Sequence, residues 1–161
     1  MTEDEVARLY RDYGYIVYRR CVLFLGDPRA ARDALHEVFV RLLRAETEFL
    51  ANPQRRMWLC RLSDRLCLDM LGRDGTVRTD ITFDEALASI MDDDRDSLVA
   101  VRQLLEGLHV DEWRLAVLHY VDEFTEQEIA KELGLSLRTV ERRVAALVEH
   151  TREVLRVENA S

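Results

Sequence analysis

The chain has 161 residues, 48% apolar and 34% charged, a balance that fits one folded domain or two small ones and excludes a disordered chain. No apolar run approaches the roughly 18 residues of a membrane span, and the opening MTEDEVARLY is acidic where a signal peptide is basic, so a cytoplasmic protein without membrane insertion is expected. The net charge of −8 opposes a nucleic-acid partner only if it is evenly spread, and it is not: residues 1–75 carry 13 basic and 12 acidic groups, residues 76–100 carry 2 and 7. Cys21, Cys60 and Cys67 are odd in number and lack metal spacing, which points to buried free thiols.

Taken in order, Val6, Leu9, Tyr10, Tyr13, Ile16, Val17 and the run Val22 to Leu25 mark a first helix, with Gly14 lowering its intrinsic helicity. Gly26-Asp27-Pro28 combines a turn, an N-cap and a proline at the first helical position, so a second helix starts there. Its apolar positions Ala31, Ala34, Leu35, Val38, Phe39, Leu42 and Leu43 cover more than half the circumference, more than two neighbours need, and suggest an extra contact surface. Asn52-Pro53 repeats the cap and proline and opens a third helix with Trp58, Leu59, Leu62, Leu66, Leu68 and Leu71 on its apolar side. Arg55, Arg56, Arg61 and Arg65 occupy its polar side, in the most basic stretch of this half.

Glycines and threonines from Gly72 to Thr82, followed by Asp92, Asp93, Asp94 and Asp96, have the composition of an acidic linker over about 75–95, with a short helix inside it announced by Thr82, Glu85, Ala86, Leu87 and Ile90. The expected organisation is all-α: a helical domain over 1–74, the flexible linker, and a second helical domain over 96–161. In the latter, Asp96 to Leu108 and Asp111 to Tyr120 read as two helices, with Leu98, Val101, Leu104, Leu105, Leu108, Trp113, Ala116, Val117 and Tyr120 as core.

The stretch TEQEIAKELGLSLRTVERRVAALVEH, Thr125 to His150, carries the strongest signal. Thr125 and Glu128 form a capping box, Ile129, Ala130 and Leu133 an apolar stripe, and Gly134 a left-handed stop. Ser136 caps a second helix whose stripe is Val140, Val144, Leu147 and Val148. Two helices this close, with small Ala130 at the crossing, make a helix-turn-helix. Ser136, Arg138, Thr139, Arg142 and Arg143 on the second helix are donors suited to phosphates and guanine edges, which makes them the candidate DNA-reading set. His36, His109, His119 and His150 are scattered, without metal-like spacing, so no catalytic site, metal or cofactor is expected.

With these elements in hand, DPRAARDALHEVFVRLLRA, WLCRLSDRLCLDML and LHYVDEFTEQEIAKELGLSLRTVERRV are together similar to the extracytoplasmic-function sigma factors of bacterial RNA polymerase, covering their regions two and four in order. The resemblance implies that the second helix, around Asp33, Leu35, Glu37, Val38, Phe39 and Leu42, docks on the clamp coiled coil of the largest subunit of core RNA polymerase. It implies that the third helix, with Trp58, Arg61 and Arg65 and the loop before it, opens promoter DNA by holding unstacked bases. It further implies that the helix-turn-helix reads the upstream promoter element and touches the flap, that the linker lies in the RNA exit region, and that an anti-sigma protein holds the factor inactive.

The chain departs from the family pattern in places: Asp64-Arg65 stands where Arg-Asn is usual, the third helix ends LGRDGTVR without a dense arginine run, and Glu141, Ala145 and Ala146 replace basic residues. Each lost phosphate contact flattens the salt dependence by about 0.9 in slope, so weak duplex binding by the isolated chain is expected. Asp64 and the missing run leave room for a sigma-like adaptor that no longer melts promoters. A conventional dimeric helix-turn-helix regulator is the other alternative, and it requires a palindromic site with half-sites about one DNA turn apart.

Overall fold

A computed structural model describes residues 1–74, 81–104 and 110–160, all helical apart from short turns. The chain divides into two compact units, Met1–Met91 and Asp92–Ser161.

In the first unit, α1 (Glu3–Leu25) opens with a reciprocal cap in which the Glu5 amide donates to Thr2 Oγ1 and the Thr2 amide to Glu5 Oε2. It runs unbroken through Gly14 and stops at Gly26, whose φ of 66° is left-handed. Gly14 leaves room for the Tyr10 ring, which lies 3.1 Å from where an added Cβ would stand and reaches across to Phe39 at a centroid distance of 4.5 Å. α2 (Pro28–Arg44) starts as its sequence indicates, with the Arg29 amide donating to Asp27 Oδ1 and proline in the first turn.

A short helix the periodicity did not announce, α3 (Glu46–Ala51), follows at once, and α4 (Arg55–Asp74) begins beyond Asn52, whose Oδ1 accepts from the Gln54 amide. The Asn-Pro pair therefore forms the turn before the helix rather than its cap. Phe49 of α3 is fully buried between Tyr13 and Trp58, with centroids 5.9 and 5.3 Å away, and the Trp58 indole donates to Glu48.

α5 (Ile81–Ala88) closes this unit by packing on α1 and α2, with Ala86, Leu87 and Ile90 buried and the Tyr18 and Ser89 hydroxyls hydrogen-bonded. The stretch with linker composition thus contributes a core helix. α1, α3, α4 and α5 all pack on α2, and its wide apolar face is used up there: Ala31, Ala34, Leu35, Val38, Phe39 and Leu42 are all buried, and only Leu43 of that set is exposed. The surplus apolar surface read from the sequence is therefore the domain's own core. The side chains of Thr82, Val101 and Leu104, and the whole of Gly75 to Asp80 and of the expected core positions Leu105 and Leu108, lie outside what is described.

The second unit contains α6 (Asp92–Leu104), α7 (Val110–Ala116), α8 (Glu126–Leu133) and α9 (Leu137–Ala160). Asp92, Asp93 and Asp94, read as linker acid, form the first turn of α6, where carboxylates favour the positive end of the helix dipole. The helix expected over Asp111–Tyr120 is α-helical only to Ala116; Val117–Val121 widen into a π turn closed by the Asp122 amide on the Val117 carbonyl at 3.0 Å. That widening brings Phe124 into the core just before α8. Trp113, Leu115, Val117, Leu118, Ile129, Val140, Val144 and Leu147 are buried together, and Arg114 reaches Glu132 at 4.0 Å to tie α7 to α8.

Candidate nucleic-acid interface

The helix-turn-helix is built by local rules. The Glu128 amide donates to Thr125 Oγ1 at 3.1 Å and the Thr125 amide to Glu128 Oε1 at 3.0 Å, closing the capping box of α8. Gly134 stops α8 at φ 67°, and the Leu135 amide returns to the Ala130 carbonyl. Ser136 then caps α9: its Oγ accepts from the Thr139 amide at 3.1 Å and donates to Thr139 Oγ1 at 2.8 Å. Ile129, Ala130 and Val140 are buried at the crossing.

The five candidates on α9 separate into three kinds. At 100° per residue, Arg138 and Arg142 lie about 160° round the helix from buried Val140 and form an exposed pair four residues apart on the outer face. Arg143 is exposed too, but on the side facing α7, where it lines a shallow groove with Glu112, Leu115, Ala146, Leu147 and His150. Ser136 and Thr139 use their hydroxyls on the helix start. Sequence reasoning passed over Leu137, the first residue of α9, which is 38% exposed beside Arg138; only its place in the first turn could have flagged it.

On α4, Arg61 and Arg65 are again an exposed pair four residues apart, and Arg56 is exposed one turn earlier. Arg55 is half-buried and turned onto the chain, donating to the Leu50 carbonyl at 2.8 Å with its guanidinium 5.6 Å from the Phe49 ring centre. Trp58 is buried, so its ring serves the core and presents no stacking face to a base. On α2, Leu35, Val38, Phe39 and Leu42 face inward, whereas Asp33 is exposed and the half-buried Glu37 accepts from Arg41 Nε at 3.1 Å.

The feature least visible in the sequence is an ion pair 44 residues apart. Arg20 of α1 and Asp64 of α4 are only 1% and 2% exposed; Arg20 Nε donates to Asp64 Oδ1, and Nη2 to Oδ2 at 2.8 Å. Asp64 therefore takes no cation from the exposed side of α4 that carries Arg61 and Arg65, because its charge is matched inside the protein. Cys21 and Cys67 lie beside the pair as free buried thiols; the hydrogen bond between them, then burial, hold the Cys67 thiol well above its ordinary range. Among the described residues, no group of three His, Cys, Asp or Glu side chains could hold a metal, and no helix is long and apolar enough to cross a membrane.

The family patterns coincide with these two units. Sigma-70 region 2 matches residues 9–76, and Sigma-70, region 4 matches residues 98–150. The chain belongs to the extracytoplasmic-function sigma factors. It is 25% identical to the ECF RNA polymerase sigma factor SigX of Bacillus subtilis over 97% of this chain and 88% of that protein. The ferric citrate uptake sigma factor FecI of Escherichia coli is 29% identical over 74% of this chain and 73% of its own length. A probable ECF RNA polymerase sigma factor SigI of Mycobacterium tuberculosis is 30% identical over 84% of this chain, which spans half of that protein. As a sigma factor the protein binds RNA polymerase and promoter DNA, directs transcription initiation and has no enzymatic activity of its own.

Proposed function

We propose that the two units divide promoter recognition between opened and duplex DNA in the cytoplasm. What supports this reading is the repeated device of two exposed arginines four residues apart, Arg61/Arg65 on α4 and Arg138/Arg142 on α9, each on a helix held by a buried face. Arg61 and Arg65, with Arg56 and Arg55 near the start of α4, hold unstacked bases of the non-template strand; their contacts offset the few kcal/mol or so lost when a base leaves the stack. Arg138 and Arg142 read the upstream element in the major groove, with Arg143 and the capped Ser136–Thr139 turn at phosphates.

The outward side of α2, with Asp33 and Glu37, meets the clamp coiled coil of the largest polymerase subunit, while Leu35, Val38, Phe39 and Leu42 hold that helix from inside. The second unit touches the flap, and an anti-sigma protein covers these faces when the factor is idle. Asp64 gives the adaptor reading no support, since its carboxylate is paired with Arg20.

The test is in vitro transcription of a fragment library by core polymerase plus this chain, with transcript starts sequenced. Discrete starts preceded by a shared two-part motif are expected. Core binding without discrete starts would replace this reading with the adaptor, and absence of core binding would defeat the polymerase assignment for α2.

A further inference from the structure

The exposed start of α9 carries a carboxylate among its cations. Glu141 is exposed, and among the described residues it makes no ion pair or hydrogen bond, although Arg138 stands one turn before it and Arg142 beside it. It lies about 100° from Val140, on the flank of the Arg138/Arg142 stripe opposite the side where Arg143 faces α7. Exposed Leu137 lies four residues earlier on that same flank. The two flanks of the arginine stripe therefore differ in chemistry: one is cationic, the other apolar and anionic.

A carboxylate brought against duplex DNA is repelled by every phosphate and has no attraction to guanine, whose major-groove edge offers only acceptors. The donors there are the amino groups of cytosine and adenine. Adenine's best partner is an amide that can both donate and accept, whereas a group that only accepts suits cytosine N4. An exposed leucine one turn away meets the apolar C5 edge of a pyrimidine.

We propose that Glu141 is a specificity-determining residue that accepts a hydrogen bond from the N4 amino group of a cytosine in the upstream promoter element, with Leu137 against the C5 edge of the neighbouring pyrimidine. This rests on the reading of α9 as the duplex reader. Glu141 then lowers affinity for DNA in general and raises selectivity at one base pair, which is a different role from a missing phosphate contact.

Holoenzyme assembled from core polymerase and the full chain is tested on a promoter library randomised over the upstream element, using wild type, Glu141→Ala and Glu141→Gln. The wild type is expected to prefer cytosine at one position by on the order of tenfold. Glu141→Ala loses that preference at that position alone and binds unrelated duplex more tightly; Glu141→Gln moves it toward adenine. If Glu141→Ala raises output on all sequences alike, or if the base it ceases to prefer is not cytosine, the proposal is wrong. Absence of discrete starts with the wild type would defeat the underlying reading of the protein, and this inference with it.

Discussion

The two arginine-bearing helices are organised in opposite ways. α9 is placed by contacts between near neighbours in sequence: the Thr125–Glu128 box, the Gly134 turn, the Ser136–Thr139 cap and the crossing of Ala130 with Val140 all lie within sixteen residues of chain. α4 is placed by distant ones: Arg20 on Asp64, 44 positions away in the chain, and α1 packed against it. On the division of labour proposed above, the reader of duplex DNA is a compact local motif, whereas the helix assigned to opened strands is set into the core of a larger body.

The largest difference should appear on breaking one long-range contact. Arg20→Met takes the guanidinium away from the buried Asp64 carboxylate and is expected to destabilise the first unit by about 3–5 kcal/mol, while Arg20→Met with Asp64→Leu recovers most of that loss, because two well-packed apolar groups need no partner. Denaturant unfolding followed by Trp58 fluorescence in a Trp113→Phe background measures both. A double variant no more stable than the single one would mean that the pair is not what holds α4 on α1.

Next in size, Ile129→Ala removes a fully buried side chain from the helix-turn-helix and should cost about 2–5 kcal/mol in the second unit. Trp113 fluorescence in a Trp58→Phe background reports it, with the first unit unchanged. Gly134→Ala is smaller. Nothing lies within 4 Å of the added Cβ, so only the left-handed backbone at φ 67° resists it, and about 1 kcal/mol is expected in the same melts.

The smallest effect concerns pH. The folded-state pKa of Cys67 is raised, so above the ordinary thiol range near 9.0 the unfolded chain loses this proton first and stability falls as pH rises. Cys67→Ala should flatten the decline in stability above about pH 9 relative to wild type. The same burial predicts that Cys21, Cys60 and Cys67 resist alkylation until the first unit unfolds, which mass spectrometry of denaturant-titrated samples would show.

How much could be read in advance follows the same division. The caps at Asp27, Thr125 and Ser136 and the stop at Gly134 were legible because each is decided by residues within a turn of one another. The role of Asp64 was not, since its partner is 44 positions away and nothing in VYRRCVLFL marks Arg20 as inward rather than solvated. The wide apolar face of α2 is legible from its spacing, but the elements that bury it are not: composition makes the stretch before Asp92 look like linker, whereas α5 from that stretch packs on α2 alongside α1 and α4. Of the candidate DNA-reading set, Arg138, Arg142, Arg61 and Arg65 are where helical spacing puts them, whereas Arg55 and Trp58 are drawn inward by Phe49 of α3, a helix too short for its periodicity to show.

The division of labour between α4 and α9 is tested most directly by permanganate mapping of opened thymines, alongside footprinting of the upstream element, on one promoter with holoenzyme carrying Arg61→Ala/Arg65→Ala or Arg138→Ala/Arg142→Ala. The α4 variant should keep the upstream footprint and lose the reactive thymines. The α9 variant should lose the footprint and, with it, opening at limiting holoenzyme. Loss of both signals in both variants, or reactive thymines that survive the α4 substitutions, would contradict the assignment.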